Sequence, residues 1–399
     1  MSGASQPTAD KRHQYLARHI VDLPKSGIRE FFDIVSTRSG VISLAIGEPD
    51  FDTPWHIREA AMFSFEQGRT HYTGNAGLMA LREAIAAYVA RKFGGHYNPA
   101  HEVLVTVGAS EGLDVALRAI LNPGDEVLYH EPCFVSYGPE IAMAHGVPVP
   151  VETHVQDNFR LSVDALEAKV TPRTKALMVN FPNNPTGAVL EREDVEAIAR
   201  FALKHDLFVI ADEIYAELTW GGKKHVSFAS VPELRDRLIL HHGYSKAWAM
   251  TGFRMAYICA PEWIMETMLK IHQYQIMCAS TASQYAALEA MKQPEEDMAP
   301  MLRAYEQRRN YLRAAFAEAG IPMHNPAGAF YAFPQIGHLG LSSRDFAVRL
   351  LDAENVAVVP GTAFGACGEG FVRCSYATGM EQLKEAAMRI ARFVKTLHA

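Results

Sequence analysis

The middle of the chain, from about residue 100 to 260, alternates short apolar runs with stretches that repeat apolar residues at helical spacing, such as 191–206. The apolar runs have the length of buried strands. We therefore predict strands at 103–107, 126–130, 176–181, 207–212, 238–242 and 255–260. Strands that alternate with helices are typical of the α/β class, in which a mostly parallel central sheet lies between layers of helices. In such sheets, ligands bind beyond the carboxyl ends of the strands.

The pattern changes after about residue 280. A long helical pattern covers 297–319, and a smaller α+β domain is indicated by shorter strands at 329–333, 356–360 and 371–376, with helices around 343–353 and 380–397. We predict three parts: an N-terminal arm that also contributes to the small domain (1–50), a large domain (51–290) and a small C-terminal domain (291–399).

Composition narrows the class of protein. A chain of 399 residues exceeds what one hydrophobic core usually serves, and a net charge of −7 argues against a nucleic-acid partner. The scattered cysteines without a C-x-x-C pair, and histidines without an H-E-x-x-H motif, predict neither disulfides nor a metal site. The polar N-terminus and the absence of a long apolar run predict no signal peptide and no membrane partner, and favour a cytoplasmic protein.

Polar residues follow the predicted strands where a ligand would lie. Ala109 and Ser110 come after a glycine at the start of a helix, where free backbone N–H groups suit a phosphate. A tight turn with Ser110 as the helix cap is the alternative. Asn184 lies in an Asn-Asn-Pro-Thr-Gly segment that is typical of a turn, and its amide also suits a ligand oxygen.

Two further strand ends carry charged residues. Asp212 ends a buried strand, where a carboxylate is costly without a cation from the protein or from a ligand. Lys246 follows the next strand among aromatic and small residues; most lysines only solubilise the surface, but a desolvated lysine becomes a nucleophile. Arg254 suits a phosphate through two parallel hydrogen bonds. Pyridoxal 5′-phosphate (PLP) requires this set, because it needs a lysine, a carboxylate at its pyridine nitrogen and anchors for its phosphate.

The chain resembles the class I/II aminotransferases of PLP fold type I, the aspartate and aromatic aminotransferase-like enzymes. The resemblance covers nearly the whole chain and rests on six segments in family order: LAIGEPDFDTP (44–54), HYTGNAG (71–77), NFPNNPTG (180–187), ADEIY (211–215), YSKAWAMTGFR (244–254) and FVRCSYAT (371–378). It implies transfer of an amino group between an L-amino acid and a 2-oxo acid, with 2-oxoglutarate and glutamate as one pair.

The resemblance also implies catalytic roles for matching residues. Lys246 would form a Schiff base with PLP and carry the proton between the substrate Cα and the cofactor C4′. Asp212 would pair with the pyridine nitrogen, and Asn184 and Tyr215 would hydrogen-bond the phenolic oxygen.

The remaining implied contacts hold the cofactor and the substrate. Phe134 would stack on the ring, although some relatives have tryptophan there. The phosphate would be held by Ala109, Ser110 and Arg254. Ser245 would also hold it, in place of the serine that some relatives have at the position of Gly243. Arg373 would clamp the substrate α-carboxylate with help from the backbone of Gly47, and Asn184 would also contact the substrate. Tyr72 would reach the phosphate of a neighbouring subunit, which implies a homodimer with active sites at the interface.

Two other reactions stay open from the sequence. A carbon–sulfur lyase of the same fold would retain every cofactor residue. A serine hydrolase is a remote alternative, because residues 108–112 match G-x-S-x-G with Ser110 as nucleophile, but it leaves Lys246, Arg254 and Arg373 without a role. The amino donor also stays open among aspartate, aromatic, alanine and diaminopimelate-type amino acids.

Overall fold

A twisted seven-stranded sheet forms the centre of the molecule in a computed structural model that describes residues 15–23 and 38–397. Its strands, in spatial order, are β2 (Val103–Val107), β8 (Met255–Cys259), β7 (Leu238–Gly243), β6 (Phe208–Asp212), β5 (Thr174–Asn180), β3 (Glu126–Glu131) and β4 (Val147–Glu152). Strand β8 alone runs in the opposite direction to the other six strands of this sheet. The α/β class with a mostly parallel sheet is therefore confirmed, and the six predicted central strands are all present with ends shifted by a residue or two.

The sheet is buried on both faces because successive side chains of each strand alternate between two hydrophobic cores. In β5, Leu177 and Val179 belong to one core, whereas Ala176 and Met178 belong to the other. Helices cover both faces, as expected for strands that are apolar at nearly every position. The helices that flank the sheet are α2 (Trp55–Glu66), α3 (Met79–Phe93), α4 (Gly108–Ile120), α5 (Tyr137–Met143), α6 (Val163–Glu167), α7 (Arg192–Lys204), α8 (Glu262–Ile276) and α9 (Thr281–Ala290).

Strand β4 is an edge strand that the apolar pattern did not predict. Its sequence, VPVPVE, places prolines at alternate positions. Val147 N–H and Thr153 N–H donate to the carbonyls of Asp125 and Glu131, so the odd-numbered residues face β3. Pro148 and Pro150 therefore lie with their missing N–H groups on the open side, where an edge strand tolerates them.

A second, smaller group of elements follows the sheet along the chain. It contains the long helix α10 (Pro294–Glu318), α11 (Ser343–Glu354) and α12 (Met380–Leu397). The short strands β9 (Tyr331–Ala332), β11 (Val359–Pro360) and β12 (Val372–Ser375) pair antiparallel, and β10 (Val356–Ala357) pairs in parallel with β1 (Ile42–Ser43). The pairing of β1 with β10 joins a segment near residue 42 to this group.

The N-terminal residues 15–23 contain one short helix, α1 (Arg18–Val21), and the parts of the predicted N-terminal arm at 1–14 and 24–37 lie outside the described residues. No helix in the described part of the chain is both long and apolar enough to cross a membrane.

Candidate active site

A cavity of about 520 Å³ opens at the edge of the sheet where β2, β5, β6 and β7 end. Strand β8 begins at the same edge, because its antiparallel direction pairs Met255 with Val107. The cavity brings together all the residues predicted for the site except Tyr72: Gly47, Ala109, Ser110, Phe134, Asn184, Asp212, Tyr215, Ser245, Lys246, Arg254 and Arg373. The fold thus brings together residues that are more than 300 positions apart in the chain, from Gly47 to Arg373.

One end of the cavity carries positive charge. Helix α4 begins at Gly108 directly after β2, so its first N–H groups face the cavity with the positive end of the helix dipole. Arg254 lies over this helix start: a Cβ on Gly108, whose φ is +72°, would be 2.5 Å from Arg254 Nη2. Among the described residues, no carboxylate forms an ion pair with Arg254, whose Nη1 donates to the carbonyl of Thr251 at 3.2 Å. A cation beside a positive helix end favours an anionic ligand between them.

Asp212 lines the cavity and is only 4% exposed. Tyr137 donates its hydroxyl hydrogen to Oδ2 at 2.7 Å, and the N–H of Ile214 donates to Oδ1 at 3.2 Å. Burial by itself would raise the pKa of this carboxyl, but nearby His241, with the donation from Tyr137 and Ile214, holds the pKa of Asp212 below its ordinary value. The carboxylate is therefore charged, and it can hold a protonated ring nitrogen.

Lys246 projects into the cavity just after β7, and its Nζ donates to the carbonyl of Gly47 at 2.8 Å. Burial lowers the pKa of Lys246 to about 8; Glu48 opposes this shift, whereas the positive charges of Arg373 and Arg254 add to it. An amine with this pKa is neutral often enough near physiological pH to act as a nucleophile or a base.

Arg373, on β12, is 2% exposed and has no acidic partner among the described residues. Its Nη1 donates to Asn184 Oδ1 at 3.0 Å and its Nη2 to the carbonyl of Ala45 at 2.6 Å. The guanidinium carbon lies 4.6 Å from the ring centroid of Tyr331 and 4.8 Å from that of Phe364, and its buried Nε has no hydrogen-bond partner among the described residues. A buried cation that lacks a counter-charge is costly, so this position suits the carboxylate of a ligand.

Three residues of the site escaped prediction. Tyr137 supports Asp212, His241 lies beside it, and the hydroxyl of Tyr331 lies 3.0 Å from that of Tyr215. Tyr331 also explains Gly47, because a Cβ there would lie 2.7 Å from the Tyr331 hydroxyl oxygen. Tyr137 and Tyr331 carry no local signal in the sequence. His241 does carry a signal in the sequence, because it is a polar residue in a buried strand, two positions before the strand ends at Gly243.

Tyr72 is not among the residues that line the cavity, and its side chain is 80% exposed. Its predicted role requires a second subunit and stays a prediction.

The comparison with known proteins agrees with this geometry. The sequence model of the family "Aminotransferase class I and II" matches residues 39–390. Aromatic-amino-acid aminotransferase 2 of Thermococcus litoralis and an aspartate aminotransferase of Pyrococcus abyssi are each 45% identical over 372 residues, which is 93% of this chain and 96% of theirs. The solved structure of aspartate aminotransferase from Thermus thermophilus with maleate is 40% identical, covers 94% of this chain and 99% of its own, and superposes with a TM-score of 0.90.

The fold and the site define a PLP-dependent enzyme of fold type I. The chain belongs to the class I and II aminotransferases, which are PLP-dependent. It is therefore an aminotransferase, and its substrates are an amino acid and a 2-oxo acid. This membership favours transamination over the lyase and over the hydrolase, which had only the G-x-S-x-G match at Ser110 for support.

Proposed function

We propose that the cavity holds PLP and that the enzyme transfers an amino group between an L-amino acid and a 2-oxo acid, with glutamate and 2-oxoglutarate as one pair. The observation that carries this proposal is the convergence, in one cavity, of a lysine with a lowered pKa, a buried carboxylate and two guanidinium groups that have no acidic partner in the part of the chain that the structure describes. The four groups match the four things that the reaction must hold: an aldehyde, a ring nitrogen, a phosphate and a substrate carboxylate.

The cofactor contacts are inferred from the charges of the groups that line the cavity. Arg254 and the start of α4, with the N–H groups of Ala109 and Ser110, provide the positive end for the phosphate. Ser245 is buried next to Lys246 and lines the same cavity. At the opposite end, Asp212 provides the negative charge for the pyridine nitrogen. The residues present therefore fit PLP in one direction only.

Phe134, Asn184 and Tyr215 complete the cofactor contacts. Phe134 offers an aromatic surface for the ring and is supported edge-on by Tyr137, at 5.8 Å between ring centroids. Asn184 uses its Oδ1 to accept from Arg373, which leaves its amide N–H₂ to donate to the phenolic oxygen of the cofactor. Tyr215, buried beside Tyr331, is the second donor proposed for that oxygen.

PLP, when bound, supplies a ring that withdraws electrons from the substrate Cα. The protein supplies the rest. Asp212, kept ionised by its donors, holds the ring nitrogen protonated. Lys246 Nζ takes the proton from the substrate Cα and delivers it to the cofactor C4′, for which a pKa of about 8 suits both directions of transfer.

The substrate is oriented by its α-carboxylate. Arg373 presents a buried guanidinium, and the backbone of Gly47 lies in the same wall of the cavity. A planar guanidinium binds a carboxylate through two parallel hydrogen bonds, and so fixes the direction of the Cα–H bond as well as the position of the substrate.

The reaction is tested by incubating the purified enzyme with a panel of amino acids and 2-oxoglutarate and measuring glutamate. The proposal expects glutamate in an amount equal to that of the 2-oxo acid formed from the donor, and the panel identifies the donor. Pyruvate, ammonia and homocysteine formed from cystathionine, without glutamate from any donor, would overturn the proposal in favour of a lyase.

We propose that the enzyme is a homodimer. Large apolar side chains are exposed at the end of α2, in the loop after it and at the end of α8: Phe63, Phe65, Tyr72, Tyr274 and Met277, here called the apolar patch. The amide of Asn75 donates to the carbonyl of Met277 at 2.9 Å, so the loop and the end of α8 adjoin. Exposed apolar groups gathered in this way favour an interface, and they include the residue proposed to reach the partner's phosphate, Tyr72.

A cytoplasmic location is proposed from the state of the thiols. All five cysteines are unpaired, and Cys133, Cys259 and Cys374 are buried. Free cysteines are typical of proteins in a reducing compartment.

A further inference from the structure

His241 lies beside Asp212 in a buried position that no role proposed above uses. Asp212 and His241 are paired in register on the parallel strands β6 and β7, so their side chains project from the same face of the sheet. His241 Nδ1 lies 3.6 Å from Asp212 Oδ1, and the His241 side chain is 0% exposed. Neither of its ring nitrogens has a hydrogen-bond partner among the described residues. A buried imidazole without partners, aimed at a functional carboxylate, requires an explanation.

The carboxylate of Asp212 has an acceptor position for the imidazole ring of His241. Two carboxylate oxygens offer about four acceptor positions. Tyr137 fills one on Oδ2 and Ile214 N–H fills one on Oδ1. The pyridine nitrogen of PLP takes a third under the function proposed above. His241 Nδ1 faces Oδ1 and suits the fourth.

The neighbouring helix leaves space for the ring and holds it in place. A Cβ on Gly112 of α4 would lie 2.3 Å from His241 Nε2 and 2.8 Å from Cδ2. Glycine destabilises the interior of a helix relative to alanine, so its presence here is explained by the imidazole that lies against the helix backbone. Contact on the Nε2 side keeps Nδ1 turned towards Asp212.

We propose that His241 is a positioning residue for the cofactor: it donates its Nδ1–H to Asp212 and so keeps this carboxylate ionised and aimed at the pyridine nitrogen. His241 is not among the residues that line the cavity, so it acts through Asp212. The inference rests on the proposed pairing of Asp212 with that nitrogen. Both the donation and the pairing strengthen when the carboxylate is charged.

The next residue on the strand is a matched control. His242 is also 0% exposed, but it projects from the opposite face of β7, where its Nε2 lies 3.2 Å from Glu217 Oε1. It does not line the cavity, and its ion pair is with Glu217 rather than with Asp212. A change there alters a buried histidine of the same strand without altering the support of Asp212.

The test uses holoenzyme prepared with PLP that carries ¹⁵N in its ring, since the ¹⁵N chemical shift reports whether the ring nitrogen is protonated. The dissociation constant of PLP is measured on the same proteins. We expect His241→Leu to move the ¹⁵N signal towards that of unprotonated pyridine and to raise the dissociation constant roughly tenfold, as for a lost hydrogen bond to a charged group. His241→Asn, which can place an amide N–H near the position of Nδ1, should recover most of both values, and His242→Asn should leave both unchanged.

Gly112→Ala provides a second variant if His241→Leu does not fold, because it displaces the ring and retains the histidine. We expect it to shift the ¹⁵N signal in the same direction. A signal and dissociation constant like those of the wild type, in whichever of the two variants fold, would overturn the role of His241. An unchanged signal in Asp212→Asn would instead overturn the proposed pairing of Asp212, and the two failures are thereby distinguished.

Discussion

A lysine amine ordinarily has a pKa of 10.5, and burial lowers the pKa of Lys246 to about 8. Only the neutral amine attacks the aldehyde of PLP. The fraction of neutral amine rises with pH below the pKa and levels above it. The lowered pKa thus determines over which pH range the apoenzyme captures its cofactor.

We expect the rate of reconstitution of the apoenzyme with PLP to rise with pH up to about pH 8 and to level above it, as a pKa lowered by burial requires. Stopped-flow absorbance at several pH values measures this rate. The control is N-acetyl-lysine amide with PLP, whose rate should continue to rise towards about pH 10. A profile for the enzyme that follows this free amine would show that Lys246 is not desolvated.

Arg373 is the residue proposed to bind the substrate carboxylate, and it has no acidic partner in the described structure. We expect Arg373→Lys, which retains the charge but loses the planar fork, to lower kcat/KM about ten- to a hundredfold, mostly through KM, because one charge-assisted hydrogen bond is lost. Steady-state kinetics with both substrates measures the change.

The dissociation constant of PLP is the control for Arg373→Lys, because this residue lies at the substrate end of the cavity rather than at the phosphate. An unchanged KM for both the amino acid and the 2-oxo acid would contradict the proposed role.

At the scale of elements, the phosphate site depends on how α4 begins. Gly108 has a φ of +72°, and a Cβ there would lie 2.5 Å from Arg254 Nη2. We expect Gly108→Ala to weaken PLP binding at least about tenfold, because it displaces the guanidinium and strains the helix start by roughly 1 kcal/mol. Pyridoxal, which lacks the phosphate, should bind both proteins equally.

Gly124→Ala is the matched control for the backbone strain that alanine introduces at a positive φ. Its φ is +91°, but a Cβ there meets no atom within 4 Å. Titration of each apoprotein with PLP should show a loss of affinity for Gly108→Ala alone. Equal losses in both variants would show that backbone strain, and not the contact with Arg254, causes the effect.

The apolar pattern predicted the central strands because each is buried on both faces and stands out as a short apolar run. It did not predict β4, since Pro148 and Pro150 argue against a strand unless the open side of an edge is known. The pattern also could not predict that β8 is antiparallel, because a buried strand shows the same apolar run in either direction. In the 329–333 segment only Tyr331–Ala332 form a strand, since Ala329 adopts a φ of +54° that ends the extended conformation.

The lining of the cavity could be predicted from the sequence where its residues follow strand ends or lie in segments that resemble the family. It was predicted poorly where packing alone brings residues in. Tyr137 reaches Asp212 from α5, 75 residues earlier in the chain, and Tyr331 reaches Tyr215 from 116 residues later. No local spacing encodes such contacts; they depend on which helix and strand pack over the sheet edge.

At the scale of the whole molecule, the apolar patch predicts how the chains assemble. We expect Phe65→Glu, at a side chain that is 61% exposed, to shift the protein from dimer to monomer, because a charge in an apolar interface is costly. Analytical ultracentrifugation measures the change. Met388→Glu, at a similarly exposed methionine of α12, should leave the dimer intact, and a wild-type protein that sediments as a monomer would contradict the proposal.

The covalent attachment of PLP to Lys246 is the central claim, and borohydride tests it most directly. Reduction of the holoenzyme, followed by digestion and mass spectrometry, should place the added cofactor mass on the peptide that contains Lys246. Lys246→Ala protein treated in the same way should carry no label. Label on another lysine of the wild-type enzyme, or borohydride-stable label in Lys246→Ala, would contradict this account.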